Sequence, residues 1–75
     1  MWHVYSESKP DKDKDCLVQM KSGENWVANY SGDNFWLIFV YGNSAHAIDY
    51  SKYDDLSNLH DWEIIEKWVY LDDII

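Results

Sequence analysis

The chain has 75 residues, which is enough for one domain, and a domain this small can bury only a thin core. Its single cysteine, Cys16, excludes an internal disulfide, so thirteen aromatic side chains must supply much of the apolar area that stabilises the fold. Fourteen acidic residues, six lysines and no arginine give a net charge of −8 at pH 7. This balance argues against direct binding to nucleic acid or to an anionic membrane, because both require clustered cations.

The acidity is distributed unevenly along the chain. Residues 1–21 contain four acids and four lysines, whereas residues 22–75 contain ten acids and two lysines. The second part therefore carries the whole net charge. Such a charge keeps a small aromatic-rich domain soluble, and it also suits a basic protein partner.

The first half of the chain has the pattern of short strands separated by turns. Residues 8–15, with Pro10 and alternating aspartates and lysines, are typical of an exposed loop. Gly23 and Gly32 mark two turns further along. Three strands are predicted around these turns, at Cys16–Lys21, Asn25–Tyr30 and Phe35–Tyr41. The first two are predicted from the alternation of apolar and polar residues, and the third from its aromatic and β-branched residues. Short turns between consecutive strands predict an antiparallel meander.

The second half is less regular. Residues 45–62 have no clear period, and the stretch from Asp54 to Leu59 fits either one helical turn or an ordered loop. Residues 63–71 predict a closing strand, although its apolar residues do not keep a period of two, so a bulge or a short helix is also expected there. We predict one domain over residues 1–75 of the α+β class, mainly β. It is expected to be a small antiparallel meander of three to four strands with at most one or two short helices.

The N-terminal segment Trp2-His-Val-Tyr-Ser-Glu-Ser-Lys-Pro10 has a tryptophan, then an acid, then a proline eight positions after the tryptophan. An apolar strand with Leu17-Val18, a turn at Gly23 and an aromatic strand with Trp26 follow. Near the end, an apolar residue and two polar residues precede Trp68 in the stretch 65–72. These features resemble a small phage and prophage family of unknown function that ends on Trp-Met-Pro-Leu-Pro.

The chain departs from that family in three places. Lys9 stands where the family usually has leucine, both C-terminal prolines are missing, and residues 39–62 look like an insertion. The resemblance implies an origin in a bacteriophage or a prophage. It implies no catalytic residues.

Side chains that could support catalysis or metal binding are scattered. His3, His46 and His60 are far apart in the sequence, and none has a cysteine or histidine at ligand spacing. No glycine-rich phosphate loop is present. We therefore predict a protein that is not an enzyme and that needs no cofactor or metal.

The aromatic residues divide into two groups. Trp26, Trp36 and Trp68 lie in predicted strands and are expected in the core. Other aromatics lie among acids in the irregular segment and fit either a core or a binding surface, because tryptophan and tyrosine dominate interface hot spots. The predicted partner-binding residues are Asp49, Tyr50, Tyr53, Asp54, Asp55, Asp61, Trp62, Glu63, Glu66, Asp72 and Asp73.

These features predict a phage-encoded acidic protein that binds and inhibits a basic host protein of nucleic-acid handling or defence. A nuclease, a polymerase or another nucleic-acid-binding protein is the expected partner, and the carboxylates would partly mimic the charge of DNA. The alternative is a non-catalytic adaptor that acts through homodimerisation or other protein contacts, with Phe35–Tyr41 as an exposed edge strand. The lone thiol and the polar N-terminal segment predict the bacterial cytoplasm as the location.

Overall fold

The computed structural model describes residues 1–40 and 44–75, which form one antiparallel sheet of six strands in the spatial order β1-β6-β2-β3-β4-β5. The strands are β1 His3–Val4, β2 Lys14–Met20, β3 Asn25–Gly32, β4 Phe35–Phe39, β5 Ala45–Asp49 and β6 Ile65–Tyr70. The helical elements among the described residues are four 3-10 turns at Tyr50–Lys52, Leu56–Asn58, Asp61–Glu63 and Leu71–Asp73. The prediction of a small, mainly β, antiparallel domain is confirmed.

Strands β2 to β5 form a meander in which each strand pairs with the next. Gly23, with φ of 97°, makes the turn between β2 and β3 in a backbone region that L-residues rarely adopt. Asp33 and Asn34, with φ of 52° and 63°, form the next turn, where two consecutive positive φ angles match the right-handed twist of the flanking strands. Both turns lie where the sequence predicts them.

The sheet has six strands because two short ones join the three predicted strands and the closing strand. β5 lies in the segment that has no clear period in the sequence, and β1 is only two residues long. The closing strand β6 pairs with β2, and the register shifts from Gln19 opposite Lys67 to Met20 opposite Ile65. Glu66 is therefore the extra residue of a bulge, which explains the broken period of the closing strand.

The predicted edge strand is wrong. β4 pairs with β3 on one side and with β5 on the other, so it lies inside the sheet, and β5 and β1 are the edges. β4 ends at Phe39, and the predicted end of this strand at Tyr41 lies outside the described residues. A sequence pattern shows that a strand is apolar on both faces, but it does not show which strand pairs beyond it.

The core lies on one side of the sheet, which we call the covered face. Alternate strand residues point to it, including the fully buried Cys16, Trp36 and Trp68. The chain itself covers this face. Residues 50–64 cross this face from the end of β5 to the start of β6. The N-terminal loop covers another part of the same face, where Tyr5 is buried in the core. On the other side, the reverse face, Val27 and Phe39 are exposed, whereas Val69 is buried.

The N-terminal loop is fastened directly to β6. The Trp68 indole N–H donates to the Ser8 carbonyl at 2.8 Å, and the Asp11 backbone N–H donates to the Tyr70 hydroxyl at 2.8 Å. The His3 ring also stacks on Trp68, with ring centroids 4.5 Å apart. The opening and the ending of the chain are thus neighbours in the fold.

Candidate partner-binding surface

The irregular segment 50–64 owes its shape to local hydrogen bonds made by aspartates. The Asp49 carboxylate accepts from the Ser51 N–H at 3.0 Å, and the Asp55 carboxylate accepts from the Ser57 N–H at 2.9 Å. Each bond begins a 3-10 turn, as short polar side chains commonly do. Hydrogen bonds from Ser51 and Ser57 hold the pKa of these two carboxyl groups below the usual value, so both are anionic at neutral pH.

Tyr50 anchors both ends of this segment to the core. Its ring is buried, and its hydroxyl donates to the Glu63 carbonyl at 2.6 Å and accepts from the Ile65 N–H at 3.0 Å. The prediction of Tyr50 as a partner-binding residue is therefore wrong. The burial arises because the chain returns over Tyr50 thirteen residues later, which the local sequence does not reveal.

Tyr53 and Trp62 are exposed, as a binding role requires. Their exposed fractions are 44% and 50%, and Leu56 between them is 38% exposed. Trp62 is held in place by two imidazoles: its ring is nearly parallel to His60 at 5.8 Å and tilted against His46 at 5.9 Å. A large aromatic ring that is braced and still accessible loses little conformational entropy on binding a partner.

Four predicted acids belong to the same segment. Asp54 and Asp55 are exposed near Tyr53, and Asp61 and Glu63 flank Trp62. The Asp61 carboxylate lies 3.9 Å from the Lys21 ammonium, but both side chains are well exposed, so the pair neutralises little charge. We call these residues with the exposed apolar side chains the acidic segment surface, which consists of Tyr53, Asp54, Asp55, Leu56, Asp61, Trp62 and Glu63.

The remaining predicted acids do not join this surface. Asp72 and Asp73 line a separate concavity with Asp11 and Lys14, beyond the far end of β6. The six residues of β6 separate that end from the start of the strand by about 17 Å at the usual rise of an antiparallel strand. The eleven predicted residues therefore do not lie on one surface, because Asp72 and Asp73 follow the end of β6 and the acidic segment surface precedes its start.

Asp49 and Glu66 lie at the margins of the segment. Asp49 borders a concavity of about 280 Å³ along β5, together with Tyr53 and Glu63. Glu66 borders a cavity of about 510 Å³ between the N-terminal loop and segment 50–64. The cavity has mainly apolar walls, formed by residues such as Tyr5, Leu56 and Ile64, and the lysines Lys9 and Lys21 also line it. Its volume is sufficient to receive an apolar side chain of a partner.

The described residues offer no group of three histidine, cysteine or acidic side chains that could hold a metal ion. Cys16 is a buried free thiol, and burial raises its pKa to about 12, which leaves it protonated and unreactive at neutral pH. Within residues 1–40 and 44–75, no helix is long and apolar enough to cross a membrane.

Sequence reasoning missed the apolar side chains on the reverse face, among them Val27 and Phe39. The sequence did contain evidence for these side chains. Apolar residues occupy both faces of β4, and in β2 and β3 the residues that alternate with the buried ones include Leu17 and Val27. No protein-family model, no curated protein and no solved structure matches this chain.

Proposed function

We propose that this domain is a non-catalytic binding protein that attaches to a basic, nucleic-acid-handling host protein through the acidic segment surface and inhibits it. The observation that carries the proposal is that one short crossing segment carries both four carboxylates and the exposed side chains of Tyr53, Leu56 and Trp62. Carboxylates steer a basic partner during encounter, and desolvated aromatic rings supply most of the affinity after contact.

Several features support this type of partner. The chain has a net charge of −8 and no arginine, so a polyanionic ligand would be repelled and a cationic surface attracted. The cationic surfaces that bind nucleic acid are built to accept spaced negative charges, which the carboxylates of segment 54–63 can supply in place of phosphates. The resemblance to a phage and prophage family makes a bacterial host protein the expected target and the bacterial cytoplasm the expected location.

A kinetic experiment tests the proposal. The partner would be recovered from bacterial lysate with the immobilised domain, identified and purified, and its association rate measured at increasing salt. We expect the association rate to fall as salt rises, because exposed charges are screened over about 10 Å at 0.1 M salt. If the carboxylates replace phosphates, duplex DNA should compete with the domain for the partner.

Two double variants with equal changes of charge provide the control. In Asp54→Lys with Asp55→Asn, the asparagine keeps the capping hydrogen bond to Ser57. Asp11→Lys with Asp13→Asn makes the same charge change in the N-terminal loop, and asparagine tolerates the positive φ at position 13. The first variant should slow association about tenfold at low salt, and the second should have little effect. Equal effects of the two variants, or an association rate that is insensitive to salt, would exclude this mechanism.

A second candidate is an adaptor that acts through self-association. The observation that favours it is the reverse face, where apolar side chains of several strands are exposed to solvent. Recovery of the chain as an oligomer, with no basic partner captured from lysate, would favour this candidate over the inhibitor.

A further inference from the structure

The reverse face has an unbroken row of apolar side chains across five strands. The cross-strand register places Val69 opposite Leu17, Leu17 opposite Val27, Val27 opposite Phe39, and Phe39 opposite Ala45. Directly opposed residues in antiparallel strands have Cβ atoms about 5 Å apart, so these side chains form one continuous strip. Val27 is 39% exposed and Phe39 is 44% exposed, whereas Val69 at the β6 end of the row is 3% exposed and is already covered within the single chain.

Polar residues border the row on the side nearer the start of β6. There Gln19 lies between Lys67 on β6 and Asn25 on β3, opposite each of them. On the other side, Asp15 lies opposite Asn29, and the Asn29 side-chain amide donates to the Asp15 carboxylate at 3.0 Å. Leu37 lies opposite Asn29 and Ala47 lies opposite Leu37, so the polar border is limited to β2, β3 and β6 and the apolar area widens over β4 and β5. An apolar centre with a polar border is the usual anatomy of a protein–protein interface.

The reverse face carries fewer charged side chains than segment 50–64, which covers the opposite side with one lysine and four acids. By strand alternation it carries the carboxylates of Asp15 and Asp49 and the ammonium of Lys67, whereas Glu66 lines the cavity on the covered face. The chain as a whole has fourteen acids and six lysines. Two copies of so acidic a chain repel each other, and the repulsion is weaker between two reverse faces than between two acidic segment surfaces.

The size of the face agrees with a weak but specific dimer. The five strands β2 to β6, about 4.8 Å apart and about six residues long on average, form a face of roughly 500 Å². Two copies packed together would bury roughly 1,000 Å² in total, which is the lower limit for a specific interface. A sheet with one face covered by its own chain and the other apolar needs a second layer, and an aligned second sheet about 10 Å away would supply it.

We propose that a second copy of this chain docks on the reverse face, so that two sheets pack face to face around Leu17, Val27, Phe39 and Ala45, the accessible part of the row. The contact is isologous, with the same row contributed by each copy. It leaves both acidic segment surfaces on the outside of the dimer. The inference develops the self-association candidate above and does not depend on a basic partner.

The experiment is a sedimentation equilibrium series on the purified chain, up to about 1 mM, a range that includes weak specific contacts. The mass should rise with concentration from 9.0 kDa towards twice that value. Val27→Asp and Phe39→Asp, made separately, should each weaken association at least about 100-fold, because each places an unpaired charge from both copies in the apolar row. Asn58→Asp adds the same charge to the covered side and should leave association unchanged.

The folded state of each variant is checked first by near-ultraviolet circular dichroism, and both substituted positions are already partly exposed. A wild-type mass of 9.0 kDa at every concentration would overturn the proposal. So would a dimer that survives both Val27→Asp and Phe39→Asp, since association would then occur elsewhere, for example through the edge strand β5. None of these outcomes changes the expected salt dependence of partner binding, so the two proposals fail independently.

Discussion

At the scale of the residue, the same side-chain type serves different purposes within three positions of the chain. Tyr50 is buried and its hydroxyl satisfies a backbone N–H and a backbone C=O, whereas Tyr53 is 44% exposed and borders the acidic segment surface. Burial of the Tyr50 hydroxyl costs little free energy because the hydroxyl both donates and accepts a hydrogen bond. The two tyrosines should therefore respond differently to loss of the hydroxyl.

Tyr50→Phe should destabilise the fold by about 1–3 kcal/mol, because it leaves the buried Ile65 N–H and the Glu63 carbonyl without their partner. Urea denaturation monitored by tryptophan fluorescence measures the change. Tyr53→Phe is the matched control and should change the free energy of unfolding by less than about 0.5 kcal/mol. Similar losses in the two variants would contradict the anchoring role of Tyr50.

At the scale of the element, the turns and the bulge determine how the strands pair. The turn at Asp33 and Asn34 is tied to the rest of the fold: the Tyr5 hydroxyl donates to the Asn34 side-chain oxygen at 2.7 Å, and the Tyr50 N–H donates to the Asn34 carbonyl at 3.0 Å. One asparagine therefore connects a hairpin, the N-terminal loop and the start of the crossing segment. The other turn, at Gly23, is joined to the crossing segment by the neighbouring Ser22 N–H, which donates to the Asp61 carbonyl at 3.3 Å.

Gly23→Ala isolates the backbone effect at that second turn. An added Cβ would meet no heavy atom within 4 Å, so any loss of stability reflects the φ of 97° and not a steric clash with a neighbour. We expect a loss of about 1 kcal/mol in the free energy of unfolding. Gly23→Asn should cost less, since asparagine tolerates positive φ better than alanine. Equal stability of the alanine variant and the wild type would show that this turn relaxes freely.

At the scale of the whole molecule, acidity and apolar area are separated in space. The acidic segment surface lies over the covered face, Asp72 and Asp73 lie beyond the end of β6, and the apolar row occupies the reverse face. This separation allows one small domain to offer two surfaces of different character. An acidic surface controls the rate of encounter, and an apolar row provides area for a lasting contact.

Stability of the whole domain should decline in alkali. Burial raises the pKa of Cys16 from 9.0 to about 12 and that of Tyr50 from 10.0 to about 12, and it raises the pKa of Tyr5 as well. These groups are neutral in the fold and ionise first in the unfolded chain. The unfolded state therefore binds fewer protons above pH 9, so the free energy of unfolding falls as pH rises from about 9 to about 12.

Urea midpoints between pH 7 and pH 11 measure this decline. Cys16→Ala supplies the control, because the Cys16 thiol, with an ordinary pKa of 9.0, is the first of these three groups to ionise in the unfolded chain as pH rises. The variant should be less stable at pH 7, where a buried side chain has been shortened, but its stability should change less between pH 9 and pH 10. If the urea midpoint of the variant falls with pH as steeply as that of the wild type, the fold does not protect Cys16 from ionisation.

The sequence alone was sufficient to predict the local elements that depend on residue type and period. β2, β3 and β4, the turns at Gly23 and at Gly32 to Asn34, and the irregularity in the closing strand lie close to where propensity and alternation indicate. The burial of Trp36 and Trp68 follows from the same pattern. These features are predictable because they arise from interactions between residues close together in the chain.

The tertiary structure alone decided which residues share a surface. It buried Tyr50 under a chain segment that returns thirteen residues later, placed β4 inside the sheet, and carried Asp72 and Asp73 away from the acidic segment surface. It also aligned Val69, Leu17, Val27, Phe39 and Ala45, which come from five different strands, into one row. Strand order and register depend on pairing between distant parts of the chain, and the alternation within a single strand is compatible with many such pairings.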